Sequence, residues 1–217
     1  MPAVPQPEAP DPDALPEVFI SLGAATLGES GASPLDPAIR PMWAGARFAA
    51  PALTVACAPG DNLALHAAVA SARRGVALAV SVGAGMRRGY WGEVLSTAAQ
   101  TAGIVALVTD GTVRDTDALE RLGFPVLACG VGLRGASKTG PGSVGAQVVL
   151  GGVTIDPGDW LVGDGDGVVA IARTALPDCL RAGRERAAKE IEMMCRLRSG
   201  ATTVELLGLD VSAIDIT

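Results

Sequence analysis

The chain has 217 residues, a net charge of −6 and a sequence pI near 4.8. Binding to phosphate backbones is driven by counterion release onto a basic face, and stacking on single strands needs aromatic side chains. An acidic chain with 3% aromatic residues offers neither, so nucleic acid is excluded as an expected partner. One histidine (His66) and two lysines (Lys138, Lys189) leave little imidazole or amine for catalysis.

The apolar share of 49%, in a chain where Ala, Val and Gly far outnumber aromatics, fits one domain with a substantial core. Cys57, Cys129, Cys179 and Cys195 lie far apart without CxxC spacing or companion histidines, so buried, reduced thiols are expected rather than a zinc site or a disulfide framework. No apolar run reaches the roughly 18 residues of a membrane helix. The N-terminus has no basic segment followed by an apolar one. These features predict a cytoplasmic protein without a membrane partner.

In chain order, prolines at 2, 5, 7, 10, 12 and 16 among acids predict a disordered or extended tail over 1–17, and residues 18–217 form the domain. Phe19 to Leu27 reads as a short helix. Trp43 to Val55 has the apolar, β-branched character of a strand pair around Gly45. From Ala58 the text alternates between strand and helix: a helix over Leu63 to Ser71, a strand over Val76 to Val82, a Gly-rich link over Gly83 to Gly89, and a helix from Gly92 to Thr101. A strand over Ile104 to Thr109, a short helix over Asp117 to Leu122 and a strand over Pro125 to Cys129 complete what reads as a parallel sheet with covering helices.

Beyond Gly130 the pattern is β, with strands over Val144 to Leu150, Val153 to Ile155, Trp160 to Val162 and Val168 to Ile171. Pro157-Gly158-Asp159 and Asp164-Gly165-Asp166-Gly167 are turn texts, and the second is read as a hairpin rather than a calcium loop because the other ligand positions are missing. Leu176 to Ser199 is a long charged amphipathic helix, of a kind that often packs partly across a neighbour.

The chemistry-bearing residues are Glu93, Arg114 and Asp115. Twenty residues separate Glu93, at a Gly-marked helix start, from the Arg114-Asp115 pair. Two acids and a guanidinium beside open helix N–H groups suit a metal and a small carboxylate. Taken alone, Arg114-Asp115 is as readily a structural ion pair, Glu93 a dipole-favoured first-turn acid, and Glu190 an i to i+4 partner of Arg186. His66, after an apolar stretch, reads as a core or helix-end histidine. Arg87-Arg88 reads as a solvated pair that steers anions. Gly83, Gly85 and Gly89 imitate a dinucleotide loop, but the third glycine is one position late and no second mononucleotide half follows. Lys138 in a Gly-rich loop and Lys189 among helix charges do not suit a Schiff-base aldolase.

Five segments together carry a resemblance: Pro59-Gly-Asp-Asn-Leu-Ala-Leu-His66, Trp91-Gly-Glu93, Asp110-Gly-Thr-Val-Arg-Asp115, Gly151-Gly-Val-Thr-Ile-Asp-Pro-Gly-Asp159 and Val162-Gly-Asp-Gly-Asp-Gly-Val168. In order and spacing they resemble the RraA-like family, which includes 4-hydroxy-4-methyl-2-oxoglutarate (4-carboxy-4-hydroxy-2-oxoadipate) aldolases, over about Phe19 to Leu207. The resemblance implies an α/β fold of the swivelling β/β/α sandwich type. It also implies a homotrimer or hexamer with the active site between protomers, and a divalent metal, Mg²⁺ or Mn²⁺.

By the same resemblance Asp115 is the metal's direct protein ligand and Arg114 contacts the keto or enolate oxygen of a small 2-oxo acid. Glu93 is the helix-start acid, and the N–H groups of Gly92, Glu93, Val94 and Leu95 receive the substrate. Glu190 stands where a neighbouring subunit's acid contacts metal-bound waters. The reaction implied is retro-aldol cleavage of a 4-hydroxy-2-oxo acid through a pyruvate enolate, with oxaloacetate decarboxylation through the same species. The base would be Glu93 or a water that it orients with Glu190. Other members are protein-binding regulators of ribonuclease E, a non-catalytic alternative on the same scaffold. The stretch Ser81 to Met86 lacks an Asp that many relatives carry near Gly85, and Glu29 stands where Asp is common. Both departures bear on substrate preference.

Overall fold

The computed structural model describes residues 14–83 and 88–215. A helix, α1 (Leu15–Gly28), opens the described chain, with Pro16 in its first turn where a missing N–H costs nothing. It begins inside the segment expected to be a tail, and residues 1–13 lie outside the described region. Two-residue strands follow, β1 (Ser33–Pro34) and β2 (Arg40–Pro41), then the long β3 (Phe48–Cys57). The strand pair expected around Gly45 is therefore one continuous strand beginning three residues later, with Gly45 in the turn that leads to it.

The βα alternation follows as α2 (Leu63–Ser71), β4 (Ala77–Ser81), α3 (Glu93–Ala102), β5 (Ala106–Thr109), α4 (Thr116–Leu122) and β6 (Val126–Ala128). Strands β3, β4, β5 and β6 pair in parallel, in that order. Each crossover helix lies over the same face, where Leu65, Leu78, Leu107, Leu119, Phe124 and Val126 share one buried cluster. This is the parallel sheet that the apolar strand runs predict.

The β-rich remainder differs in one respect. Gly145 adopts a left-handed φ of 81°, which a side chain would resist, and breaks the expected Val144 to Leu150 strand in two. β7 (Gly142–Val144) adds antiparallel to β3, whereas β8 (Val148–Leu150) turns to pair with β9 (Val153–Ile155). β10 (Trp160–Asp164) and β11 (Gly167–Ile171) form the hairpin read from Asp164 to Gly167, and β10 also pairs with β3.

The sheet order is β1-β11-β10-β3-β4-β5-β6-β2. Its two ends, β1 and β2, are joined by only residues 35–39, so the sheet must curl to bring its edges together. The Arg40 guanidinium donates to the Asp166 carbonyl at 2.8 Å across that closure. The inside of the curl is lined by small side chains, Ala50, Ala52, Ala77, Ala79 and Ala106, which leave room for Val148, Leu150 and Ile155 of the β8–β9 hairpin. Alanine-rich strands and few aromatics are what this filled interior requires.

A third cluster joins α1 to α5 (Leu176–Arg198) through Phe19, Leu27, Val162 and Leu180. Along α5 only Cys179, Leu180 and Gly183 are buried, so its C-terminal two-thirds has no core of its own. A final short helix, α6 (Thr203–Leu207), was not foreseen, although the Thr202/Glu205 capping box that starts it is legible in the text. The cysteines depart from expectation: all four are free, but only Cys179 is buried, Cys57 is half-buried, and Cys129 and Cys195 are exposed. Burial pushes the Cys57 thiol up to about 11, which makes it inert as a nucleophile. Among the described residues no helix is long and apolar enough to cross a membrane.

Candidate active site

Ligand sites in open α/β sheets lie beyond the C-terminal ends of the parallel strands. Here those ends lead into the segments before α2 and α3, the loop between β5 and α4, and the loop after β6. These are stitched together by backbone hydrogen bonds. Gly89 N–H donates to the Arg134 carbonyl at 2.9 Å, Tyr90 N–H to Thr112 at 3.0 Å, Arg114 N–H to Trp91 at 2.9 Å and Gly132 N–H to Val113 at 2.8 Å. Asp110 ties the end of β5 to that of β4 by accepting from Val82 N–H at 2.8 Å and from the Ser81 hydroxyl at 3.1 Å. The buried Trp91 ring stacks on Phe124 and donates to the Ser96 hydroxyl at 2.6 Å, which fixes the first turn of α3 to the core.

These loops enclose a cavity of about 200 Å³ whose wall includes Gly92, Val94, Leu95, Arg114 and Asp115. Gly92 is the N-cap of α3 and contributes no side-chain cap. The cap is supplied from another loop: Glu93 N–H donates to Asp115 Oδ2 at 3.1 Å. The following N–H groups of Val94 and Leu95 have no intrahelical acceptor and open toward the cavity end of the helix dipole. Arg114 Nε lies 3.6 Å from Asp115 Oδ2, with both side chains roughly half exposed. An exposed pair at that distance contributes little to stability.

Asp115 is the only non-glycine among the described residues with positive φ, at 61°. Such strain concentrates where structure is shaped for function. Gly92 is shaped to match, because a Cβ there would collide with Asp115 Oδ2 and lie 3.1 Å from Arg114 Cγ. Gly92→Ala is therefore expected to displace both side chains and lower kcat/KM about a hundred-fold. Overpacking should cost about 1–3 kcal/mol of stability. Paired kinetic and denaturant measurements check both effects, and an alanine variant with native turnover would contradict the geometry.

The remaining wall was not anticipated. Asn62, His66, Tyr90, Gly135, Ala136 and Lys138 face the same cavity, so His66 is the helix-end histidine of the two alternatives read from the sequence, in the first turn of α2, and Lys138 is not merely a loop residue. Asp61 organises this side. Its buried carboxylate accepts from Leu63 N–H at 2.8 Å, Thr139 N–H at 2.7 Å, Gly140 N–H at 2.9 Å and the Ser137 hydroxyl at 2.8 Å. Burial alone would raise its pKa, but these donors hold the carboxyl well below the usual range. The loop bearing Lys138 is thereby pinned to the start of α2. Tyr90 OH accepts from Gly60 N–H at 2.7 Å, and Asn62 Nδ2 donates to the Tyr90 carbonyl at 2.9 Å. The spacing of Asn62 and His66, one helical turn apart at the head of a crossover helix, was the signal available in the sequence.

Two expected acids stand elsewhere. The Glu93 side chain is exposed and is not part of the cavity wall, so this residue contributes its main-chain N–H instead. Glu190, on the projecting part of α5, pairs with Arg186 at 2.8 Å, and Arg186 also pairs with Glu29. Arg88 donates to the Gly135 carbonyl at 3.0 Å, while Arg87 and the Gly85-Met86 link lie outside the described residues.

The donor set bears on metal choice. Among the described residues no group of three or more His, Cys, Asp or Glu could hold a metal ion. Asp115 therefore stands as a lone carboxylate beside open space. Such a site fits a hard cation that keeps most of its water and takes its remaining ligands from substrate.

Comparison with known proteins agrees with this architecture. Residues 23–170 match the family model RraA-like, described as Aldolase/RraA. The chain is 33% identical over 160 residues, 74% of its length and 76% of the relative's, to a Halalkalibacterium halodurans protein named "Putative 4-hydroxy-4-methyl-2-oxoglutarate aldolase". A solved structure of an uncharacterized Pseudomonas syringae pv. tomato protein superposes with a TM-score of 0.79 at 25% identity, covering 93% of this chain and 96% of that one. Streptomyces coelicolor RraAS2, described as an unusual member of the RNase ES inhibitor RraA protein family, superposes with a TM-score of 0.74 at 25% identity, covering 88% and 100%. The curled sheet with its covering helices is the swivelling β/β/α sandwich expected from the motifs, and the chain belongs to the RraA-like (Aldolase/RraA) family.

Proposed function

We propose that the protein is a divalent-metal-dependent carbon–carbon lyase. It cleaves a 4-hydroxy-2-oxo acid to pyruvate and a second oxo acid, and decarboxylates oxaloacetate through the same pyruvate enolate. The observation that carries this reading is the placement of Arg114 and Asp115 on one cavity wall with the open N-terminus of α3. The N–H groups of Val94 and Leu95 receive the substrate carboxylate, helped by the positive end of the helix. Arg114, which stays protonated and offers a planar fork, pairs with the oxygen on which charge develops as the bond breaks. Asp115 holds Mg²⁺ or Mn²⁺, which when bound supplies Lewis-acid polarisation of the 2-oxo group. Asp115 in turn is held by the Glu93 N–H.

The reading includes a homo-oligomer, a trimer or hexamer in which a second copy completes the site. The unburied length of α5, with Ile191 and Met194 exposed, is the surface such an assembly would cover, and it would carry Glu190 toward a neighbour. The alternative, a protein-binding regulator, is supported by the likeness to an RNase ES inhibitor family member. A pure binder has no physical need for a strained aspartate beside an arginine and open N–H groups.

The test is pyruvate release from 4-hydroxy-4-methyl-2-oxoglutarate, followed by a coupled assay with Mg²⁺, with Mn²⁺ and after EDTA. Release that EDTA removes and Mg²⁺ restores supports the lyase. No release under any of these conditions favours the regulator.

A further inference from the structure

Retro-aldol cleavage needs a base for the hydroxyl proton, and the cavity wall carries few groups able to serve. Five wall side chains titrate: His66, Tyr90, Arg114, Asp115 and Lys138. Guanidinium and ammonium groups have only donors. Tyr90 OH is occupied by Gly60 N–H, and burial raises its pKa. Asp115 is committed to the Glu93 N–H and the metal. The Glu93 carboxylate is not on the wall.

His66 remains. Its Nε2 is buried and has no hydrogen-bond partner among the described residues, and neither has Oδ1 of Asn62, one turn earlier on the same helix face. Two orphaned polar atoms in one wall would each carry a desolvation cost of about 1–3 kcal/mol unless a ligand satisfies them. Asn62 is fixed by its own amide bond to the Tyr90 carbonyl, which points its oxygen as an acceptor. A hydroxyl, with its one proton, complements the basic nitrogen and leaves the Asn62 oxygen to a second donor.

We infer that His66 is the base of the aldol step, taking the proton of the substrate's 4-hydroxyl at Nε2. In the forward direction the O–H proton passes to His66 Nε2, the C–O bond becomes a carbonyl, and the C3–C4 bond breaks with its electron pair entering the enolate. One proton is then added at C3 to give pyruvate, and the imidazolium loses one, so the imidazole ends as it began. Burial first, and then the nearby Lys138 ammonium, keep the imidazole in its neutral form, against a smaller opposing pull from Asp61. Decarboxylation of oxaloacetate involves no hydroxyl proton and makes no use of this base. The inference rests on the lyase reading, and the two can fail separately.

The test uses wild type and His66→Ala with both reactions under saturating Mg²⁺. The expected result is a fall of about a hundred-fold in the ratio of aldol cleavage to decarboxylation, as for loss of a general base. Free imidazole at tens of millimolar should restore aldol turnover by about ten-fold, which a merely structural histidine would not allow. An unchanged ratio, or equal loss of both reactions without rescue by imidazole, overturns the assignment of His66. If wild type performs neither reaction, the lyase reading itself fails and this inference with it.

Discussion

Asp115→Asn is expected to abolish the proposed metal-dependent pyruvate release, lowering turnover by roughly a thousand-fold, while the protein stays folded. Asparagine tolerates a left-handed backbone at least as well as aspartate, and its amide oxygen can still accept from Glu93 N–H, so the φ of 61° and the cap on α3 should be kept. What is lost is the negative charge. With no cluster of metal-ligating side chains among the described residues to compensate, Mg²⁺ affinity should fall with turnover. Calorimetric titration of Mg²⁺ alongside kinetics checks this, and native affinity in the variant would remove Asp115 from the metal site. Asp115→Gly relieves the left-handed backbone but removes the cap on α3, two opposing effects of about 1 kcal/mol each, so it should leave stability little changed and still be inactive.

Arg114→Ala should lose about a hundred- to a thousand-fold in kcat with KM changed far less, because in the proposed mechanism its contact would strengthen as charge develops on the oxygen rather than when substrate binds. Mg²⁺ binding should survive, since the 3.6 Å pair with Asp115 is half exposed and long. Arg114→Lys should remain impaired, because a point charge does not reproduce the planar fork. A variant that loses affinity for Mg²⁺ as severely as turnover would show that Arg114 serves to hold Asp115 rather than to stabilise the enolate.

Much of the fold is legible in the text because apolar runs and turn residues are local signals. The strands β4, β5 and β6 and the helices α2, α3 and α4 lie within a few residues of their expected bounds. Failures came where a single glycine decides the path. Gly145 sends β7 and β8 to different partners, and nothing in the Val144 to Leu150 run except that residue marks the break.

The site was legible where motif and helix start coincide, at Gly92 to Leu95 and Arg114-Asp115. The opposite wall was not, because His66 and Lys138 are 72 residues apart and meet only through the bonds that Asp61 makes to the 137–140 loop. A histidine on an apolar helix looks like core until the fold shows which end of that helix abuts a cavity. Glu93 illustrates the converse: its position was read correctly, but its backbone rather than its carboxylate meets Asp115.

Enolate formation can be observed without committing to a physiological substrate. Incubated with pyruvate in D₂O and Mg²⁺, the protein should exchange the methyl protons for deuterium, followed by proton NMR as loss of the methyl signal. EDTA or Asp115→Asn should stop the exchange. Full retention of the methyl signal, with Mg²⁺ present and the protein folded, would contradict an enolate-stabilising site at the N-terminus of α3.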